Sequence, residues 1–164
     1  MMLLLLYISY VLLSTSALVN SVVVNTADWK HYVPQFPNLD TTQWGNLEEL
    51  SERLKDWNSK VNLISRKDID SLIPNHIMPC VALSKVKQFN GNERVIDVGT
   101  GGGLPGLPMA ICFPNAQFTL LDSNLKKTTI VEDIAKGLKL ENVRVVRNRA
   151  EEFREVFDFM LGRF

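Results

Sequence analysis

The run Asp97-Val98-Gly99-Thr100-Gly101-Gly102-Gly103-Leu104 sets four glycines behind one acidic residue. A short apolar segment feeds it and a helix-compatible segment leaves it. Glycine accepts left-handed backbone angles and lets a main chain approach a ligand closely. In open parallel α/β sheets, ligands sit beyond the carboxyl ends of the strands, where such a turn lies. The dinucleotide pattern G-x-G-x-x-G needs glycine at position 104, and Leu104 stands there, which disfavours a nicotinamide cofactor. The spacing is instead D-x-G-x-G-x-G, with Gly99, Gly101 and Gly103 as candidate ligand contacts. Asp122 ends the next strand-like segment, where a carboxylate can accept hydrogen bonds from both hydroxyls of a ribose. The competing reading is helix capping, by Asp122 or Ser123.

Other candidates are weaker. Ala150 and Glu151 follow the third strand-like segment, where an amide and a carboxylate can read the exocyclic amine of a base; a plain solvated turn is the alternative. Leu104 and Pro105 form either an apolar lid or a simple proline helix start. His76 reads as a hydrogen-bonded structural residue ahead of a catalyst. Cys80 and Cys112 are the two cysteines, too widely spaced for a disulfide framework or a zinc site, so no metal is expected. Lys126, Lys127, Lys136, Lys139, Arg144, Arg147 and Arg149 cluster in the second half of the chain. They can meet RNA phosphates, but a solvated face with scattered ion pairs is the favoured reading.

These residues need a scaffold. Leu47, Leu50, Leu54, Trp57 and Val61 recur at helical steps, which predicts a helix over 46–61. Residues 68–87 read as two short helices broken at Pro74 and Pro79. Strands are predicted at 94–98, 117–121, 143–146 and 157–161, helices at 105–113 and 125–138, and a helical turn at 150–154. Strand–helix alternation with short loops predicts a parallel α/β sheet with right-handed crossovers.

The chain has 164 residues, 18 Lys+Arg against 18 Asp+Glu, and 46% hydrophobic residues. That composition excludes disorder, collagen and coiled coil as dominant descriptions, and zero net charge argues against a generic polyanion binder. Residues 1–24 carry no charge and hold an apolar run followed by small polar residues, as in a secretory leader. An uncleaved membrane anchor and a mis-assigned start are the alternatives. Residues 25–45 read as a linker arm, 46–90 as a helical region and 91–164 as an incomplete sheet domain.

With these strings in place, the chain resembles the RsmG (GidB) family from about residue 47 to 163. Supporting strings are Trp57-Asn58 through Asn62-Leu63, His76-Ile77, and the stretch from Ile96 through the glycine loop to Pro105-Gly106-Leu107-Pro108. Phe118 to Ser123, Leu138 to Val143, and Arg149-Ala150-Glu151-Glu152-Phe153 continue it. The resemblance implies a class I, Rossmann-like methyltransferase that uses S-adenosylmethionine. Its substrate would be N7 of a guanosine in small-subunit (16S-type) rRNA, with the rRNA or the ribosomal particle as partner and a monomeric enzyme. It implies cofactor contacts at Gly99, Leu104, Asp122, Ser123, Asn124, Ala150, Glu151 and Arg163. It assigns no catalytic residue. Guanine N7 has a lone pair and no proton, so positioning and electrostatics suffice without a general base. Arg163 would then touch phosphate or base.

Two departures stand out. The family's H-x-x-D-S is here His76-Ile77-Met78-Pro79-Cys80. The sequence also stops at Phe164, at the close of the fourth strand of a seven-stranded family fold, so the last strands are missing. The expectation is a piece of a longer protein or a truncated gene product, with an apolar sheet edge at 157–161 prone to aggregate. The alternative function is therefore an inactive S-adenosylmethionine-binding module. A bacterial-type rRNA enzyme behind a leader suggests a eukaryotic organelle, the plastid first. A cytoplasmic location, as in bacterial relatives, is the alternative, and membrane contact is expected only through an uncleaved leader.

Overall fold

A computed structural model describes residues 29–65 and 68–163. The leader segment, the first residues of the arm and Phe164 lie outside the described residues. Four parallel strands form one sheet: β1 (Arg94–Val98), β2 (Gln117–Asp122), β3 (Val143–Arg147) and β4 (Phe159–Leu161), in the order β3-β2-β1-β4. Four helices accompany them: α1 (Thr41–Lys60), α2 (Met78–Val86), α3 (Gly106–Cys112) and α4 (Leu125–Gly137). Among the described residues, no helix is long and apolar enough to cross a membrane.

The register decides which residues share a level. Val98 pairs with Leu121, Asp122 with Arg147, and Asp97 with both Leu120 and Leu161. The carboxyl ends of all four strands therefore form one edge. Strand alternation then sorts the faces. Val95, Phe118, Leu120, Phe159 and Leu161 join the main core with α1 to α4. Ile96, Thr119 and Leu121 are buried on the opposite face. Helices α3 and α4 lie on one face because both connections step the same way through right-handed crossovers. The link from β3 back to β4 steps the other way and crosses the second face. There Glu155 is held by Arg94 at 2.7 Å and Arg144 at 2.8 Å.

Several boundaries differ from the sequence reading. Helix α1 starts at Thr41 rather than 46, because Asp40 and Gln43 form a capping box: Gln43 N donates to Asp40 Oδ1 at 2.8 Å and Asp40 N to Gln43 Oε1 at 2.9 Å. The described part of the linker arm is packed, not loose. Its 3₁₀ turns at Trp29–His31 and Val33–Gln35 bury Tyr32 and Phe36. Trp29 and Phe36 set their rings edge-on to Trp44 at 6.0 and 6.2 Å. The second helical region changes type at Pro74 and Pro79, as the sequence suggests, and each proline opens a new segment. A 3₁₀ turn (Ile69–Ser71) and a π-turn (Ile73–Ile77) lead straight into α2, with each proline in a first turn where its missing N–H costs nothing. Strand β4 begins at Phe159, because the Asp158 carboxylate already accepts from Arg94 N at 2.8 Å.

Short α3 is anchored at its carboxyl end by two side-chain amides. Gln43 Nε2 donates to the carbonyls of Ile111 and Cys112, and Asn142 Nδ2 to those of Ala110, Phe113 and Ala116. Carbonyls left without helical partners are thereby satisfied in a buried setting.

Candidate functional site

The glycine loop leaves β1 at the carboxyl edge and is tied down at both ends. Gly99 N and Thr100 N both donate to Leu121 O, at 2.8 and 3.0 Å. Asp97 is fully buried, and its Oδ2 accepts from Thr100 Oγ1 at 2.6 Å and from Gly106 N at 2.9 Å. One carboxylate thus joins the end of β1, the loop and the start of α3. Its Oδ1 is buried with no partner. Burial pushes the Asp97 carboxyl up to about 6, against the pull of the Thr100 and Gly106 hydrogen bonds and of the Arg163 charge.

The glycines divide by what surrounds them. Gly99, Gly101 and Gly103 are left-handed, at φ +69°, +59° and +86°. A methyl group on Gly99 would meet nothing within 4 Å, and on Gly101 only Gly99 O at 3.9 Å. These two face open space. On Gly103 it would strike Leu107 Cδ1 at 2.4 Å, and on Gly106 it would strike Leu120 Cδ2 at 2.1 Å. Gly103 lets the loop close onto Leu107 of α3, and Gly106 lets α3 lie flush against the sheet. Leu104 is 5% exposed and its side chain belongs to the core, so it offers the loop surface only main chain. Pro105 is buried and directly precedes α3. Pro105 therefore stands at the start of this helix.

Asp122 crosses to the loop: its Oδ2 accepts from Gly101 N at 3.0 Å and its Oδ1 from Asn124 N at 2.9 Å. Each oxygen keeps a second lone pair. The cap of α4 is neither Asp122 nor Ser123. Asn124 does it, accepting from Lys126 N at 3.0 Å and Lys127 N at 3.3 Å. Gly99, Gly101, Asp122, Ser123 and Asn124 are therefore one contiguous surface. Ala150 and Glu151 stand on an exposed turn past β3, reached through Asn148 N, which donates to Asp122 O at 3.2 Å. Arg163, two residues past β4, is exposed, and its charge acts on Asp97, His76 and Cys80 alike.

His76 corrects an expectation. Neither ring nitrogen has a hydrogen-bond partner, so it is not a hydrogen-bonded structural histidine. Burial is the main cause holding its pKa down, with Arg163 adding and Asp68 opposing. Cys80 and Cys112 are buried and both are pushed up to about 12, which keeps them protonated and unreactive. No group of three or more His, Cys, Asp or Glu able to hold a metal occurs among the described residues. Thr100 went unread in the sequence although it latches Asp97. The visible signal was a hydroxyl three residues after a strand-end carboxylate.

The family pattern of the rRNA small subunit methyltransferase G (GidB) matches residues 43–163. The chain belongs to this family. It is 46% identical over 134 residues to the ribosomal RNA small subunit methyltransferase G of Flavobacterium psychrophilum, covering 82% of this chain and 62% of that protein. It is 45% identical over 128 residues to the enzyme of the same name from Christiangramia forsetii, covering 78% and 61%. This GidB-family chain thus spans about three fifths of the length of the curated relatives it matches. Among solved structures, it resembles a SAM-dependent methyltransferase from Aquifex aeolicus with a TM-score of 0.45 and 18% identity, over 51% of this chain and 46% of that one.

Proposed function

We propose that this chain carries the methyl-donor site of an enzyme that transfers a methyl group from S-adenosylmethionine to N7 of a guanosine in small-subunit rRNA. The observation that carries the reading is the pair of open, left-handed glycines, Gly99 and Gly101, bridged to Asp122 at the carboxyl edge of the sheet. The donor fits this surface. Main chain at Gly99 and Gly101 is bare enough for close approach, and Asp122 retains acceptor capacity for ribose hydroxyls. Ser123, Asn124, Ala150 and Glu151 would hold the adenine side.

When bound, S-adenosylmethionine supplies a methyl group made electrophilic by a positively charged sulfur. The chain's own residues bind and orient. Asp97 and Thr100 keep the loop in its binding shape, and Asp122 holds Gly101 against the strand edge. Because N7 carries no proton, no side chain has to remove one. Arg163 would steady phosphate or base beside β1. The apolar leader supports a further proposal, delivery to an organelle, which a fluorescent fusion of residues 1–45 can test.

The decisive experiment titrates the chain with S-adenosylmethionine and with NAD, then assays small-subunit rRNA for 7-methylguanosine. Saturable binding of the first ligand alone, with methylation, is the expected result. Donor binding without methyl transfer would favour an inactive binding module. NAD binding would overturn the reading.

A further inference from the structure

At the amino edge of the sheet, opposite the candidate donor site, a cleft of about 440 Å³ opens between three parts of the chain. That volume falls within the range of ligand-binding clefts. Residues 35–39 of the arm form one wall, Lys85 and Gln88 at the end of α2 a second, and Asn115 in the turn entering β2 a third. The walls are fixed before anything enters. Asn92 N donates to Asn115 O at 3.0 Å, which joins the turns entering β1 and β2. Phe36 is buried in the floor, edge-on to Trp44 at 6.2 Å, and Leu39 N donates to Phe36 O at 3.1 Å.

The chemistry of the cleft is one-sided. No carboxylate lines it. Lys85 is exposed, has no ion-pair partner among the described residues, and rests over the Phe36 ring at 4.2 Å. Outside the lining, Glu93 accepts from Asn90 N and Gly91 N, each at 2.8 Å, and the charge that acts on it is that of Lys87. The rim carries four side-chain amides. Gln35 Nε2 donates to His31 O at 3.3 Å and Gln88 Nε2 to Ser84 O, so each keeps an oxygen that can accept. Asn38 and Asn115 are exposed and make no side-chain hydrogen bond among the described residues.

Primary amides donate and accept together, which suits the main-chain N–H and C=O groups of an extended peptide. A flat heterocycle finds less here, because it needs an open ring face to stack on. Lys85 covers Phe36, Lys87 lies over Phe89 at 5.4 Å, and Phe89 meets Phe113 edge-on at 4.9 Å. A net-neutral chain thus presents one unpaired cation in a cleft free of carboxylates, over an apolar floor.

We propose that this cleft docks an extended acidic segment of a partner protein. Its main chain meets the rim amides, a carboxylate meets Lys85, and an apolar side chain rests against Phe113. The surface lies at the opposite edge from Gly99, Gly101 and Asp122, so an occupant leaves that edge open. The inference does not depend on the methyl-transfer reading.

The probe is a capped hexapeptide alternating leucine and glutamate, with comparators in which lysine or glutamine replaces the glutamate. Each is titrated into the full chain and followed by amide-resolved NMR. We expect saturable shifts at Gln35, Asn38, Lys85, Gln88 and Asn115, with Gly99, Gly101 and Asp122 unmoved. The glutamine peptide should bind more weakly and the lysine peptide not at all. Lys85→Glu should weaken the glutamate peptide roughly fivefold or more, while Lys85→Arg keeps it. Raising salt to about 0.5 M should weaken it in wild type and leave the Lys85→Glu value nearly unchanged. Spectra of the free variants that superimpose on wild type outside the cleft show that folding is intact; if that of Lys85→Glu does not, Lys85→Gln is read by the same criterion. Absence of saturable shifts, shifts centred on the carboxyl edge, equal binding of the three peptides, or indifference to Lys85→Glu overturns the proposal. So does displacement of the peptide by adenosine monophosphate at lower concentration, which would make the cleft a small-anion site.

Discussion

Two connections frame the carboxyl edge of the sheet, and they are built from opposite materials. The loop between β1 and α3 shows open main chain at Gly99 and Gly101 but is anchored by buried groups: Thr100 is 2% exposed, Leu104 5% and Asp97 not at all. Its anchoring bonds are internal, through Asp97 Oδ2 and main-chain donors. The link from β3 to β4 is exposed, with Val156 79% accessible. It is held by Glu155 between two arginines, by Asp158 against the start of β1, and by Phe153 stacked on Phe157 at 6.0 Å. Buried bonds are costly to break, whereas exposed ion pairs contribute little. The glycine half of the candidate site is therefore fixed before any ligand arrives. The half with Ala150 and Glu151 can be rearranged cheaply.

The largest expected effect comes from the loop's staple. The folded Asp97 carboxyl sits at about 6, against an ordinary value near 4. The folded protein therefore holds this proton more tightly than the unfolded chain. The associated stability is complete below about pH 4 and is lost as pH rises through about 6. About two units correspond to roughly 3 kcal/mol. Asp97→Asn, which cannot ionise, should remove that decline. Denaturant unfolding of both proteins between pH 4 and 7 measures it. Parallel curves would mean that Asp97 is already solvated or charge-compensated in the native state, and that the loop is less buried than its contacts state.

The second effect separates packing from ligand approach within the loop region. Gly106→Ala places a carbon 2.1 Å from Leu120 Cδ2 and 2.8 Å from Asp97 Oδ2. Overpacking of this kind costs roughly 2 kcal/mol. Gly99→Ala meets no atom and costs about 1 kcal/mol for its left-handed angle. Thermal unfolding should rank Gly106→Ala as the more damaging. Titration with S-adenosylmethionine should rank Gly99→Ala as the weaker binder for its stability. Reversed rankings would exchange the roles given to the two glycines.

How much was legible in the sequence follows the same divide. The glycine loop, Asp122 and the strands stood out, because a short apolar run ending in glycines has few other structures open to it. Long-range pairings did not. The arm's packing depends on Trp29 and Phe36 finding Trp44, and the start of α1 on an Asp40–Gln43 exchange that precedes the apolar period. Asn124 caps α4 while Asp122 is engaged by Gly101, a contact between the glycine loop and the end of β2 that local spacing does not reveal. The unpartnered ring of His76 was likewise invisible, since burial around it is set by the fold.

The smallest expected effect tests the exposed link. Glu155→Gln removes the charge that ties Arg94 and Arg144 across the second face of the sheet. The hydrogen bond from Arg144 is the first cause holding the Glu155 pKa below the usual carboxylate range, with the charges of Arg144 and Arg94 adding. A lowered carboxyl stabilises the fold above its ordinary pKa and stops doing so as pH falls through the folded value. The gap between wild type and Glu155→Gln should thus be present at pH 7, narrow in acid, and close in 1 M salt, where screening acts within about 3 Å. It should stay well below the loss seen for Gly106→Ala. A loss as large as that, or one indifferent to salt, would show the link to be held as firmly as the loop. The turn bearing Ala150 and Glu151 would then be as preorganised as the glycines.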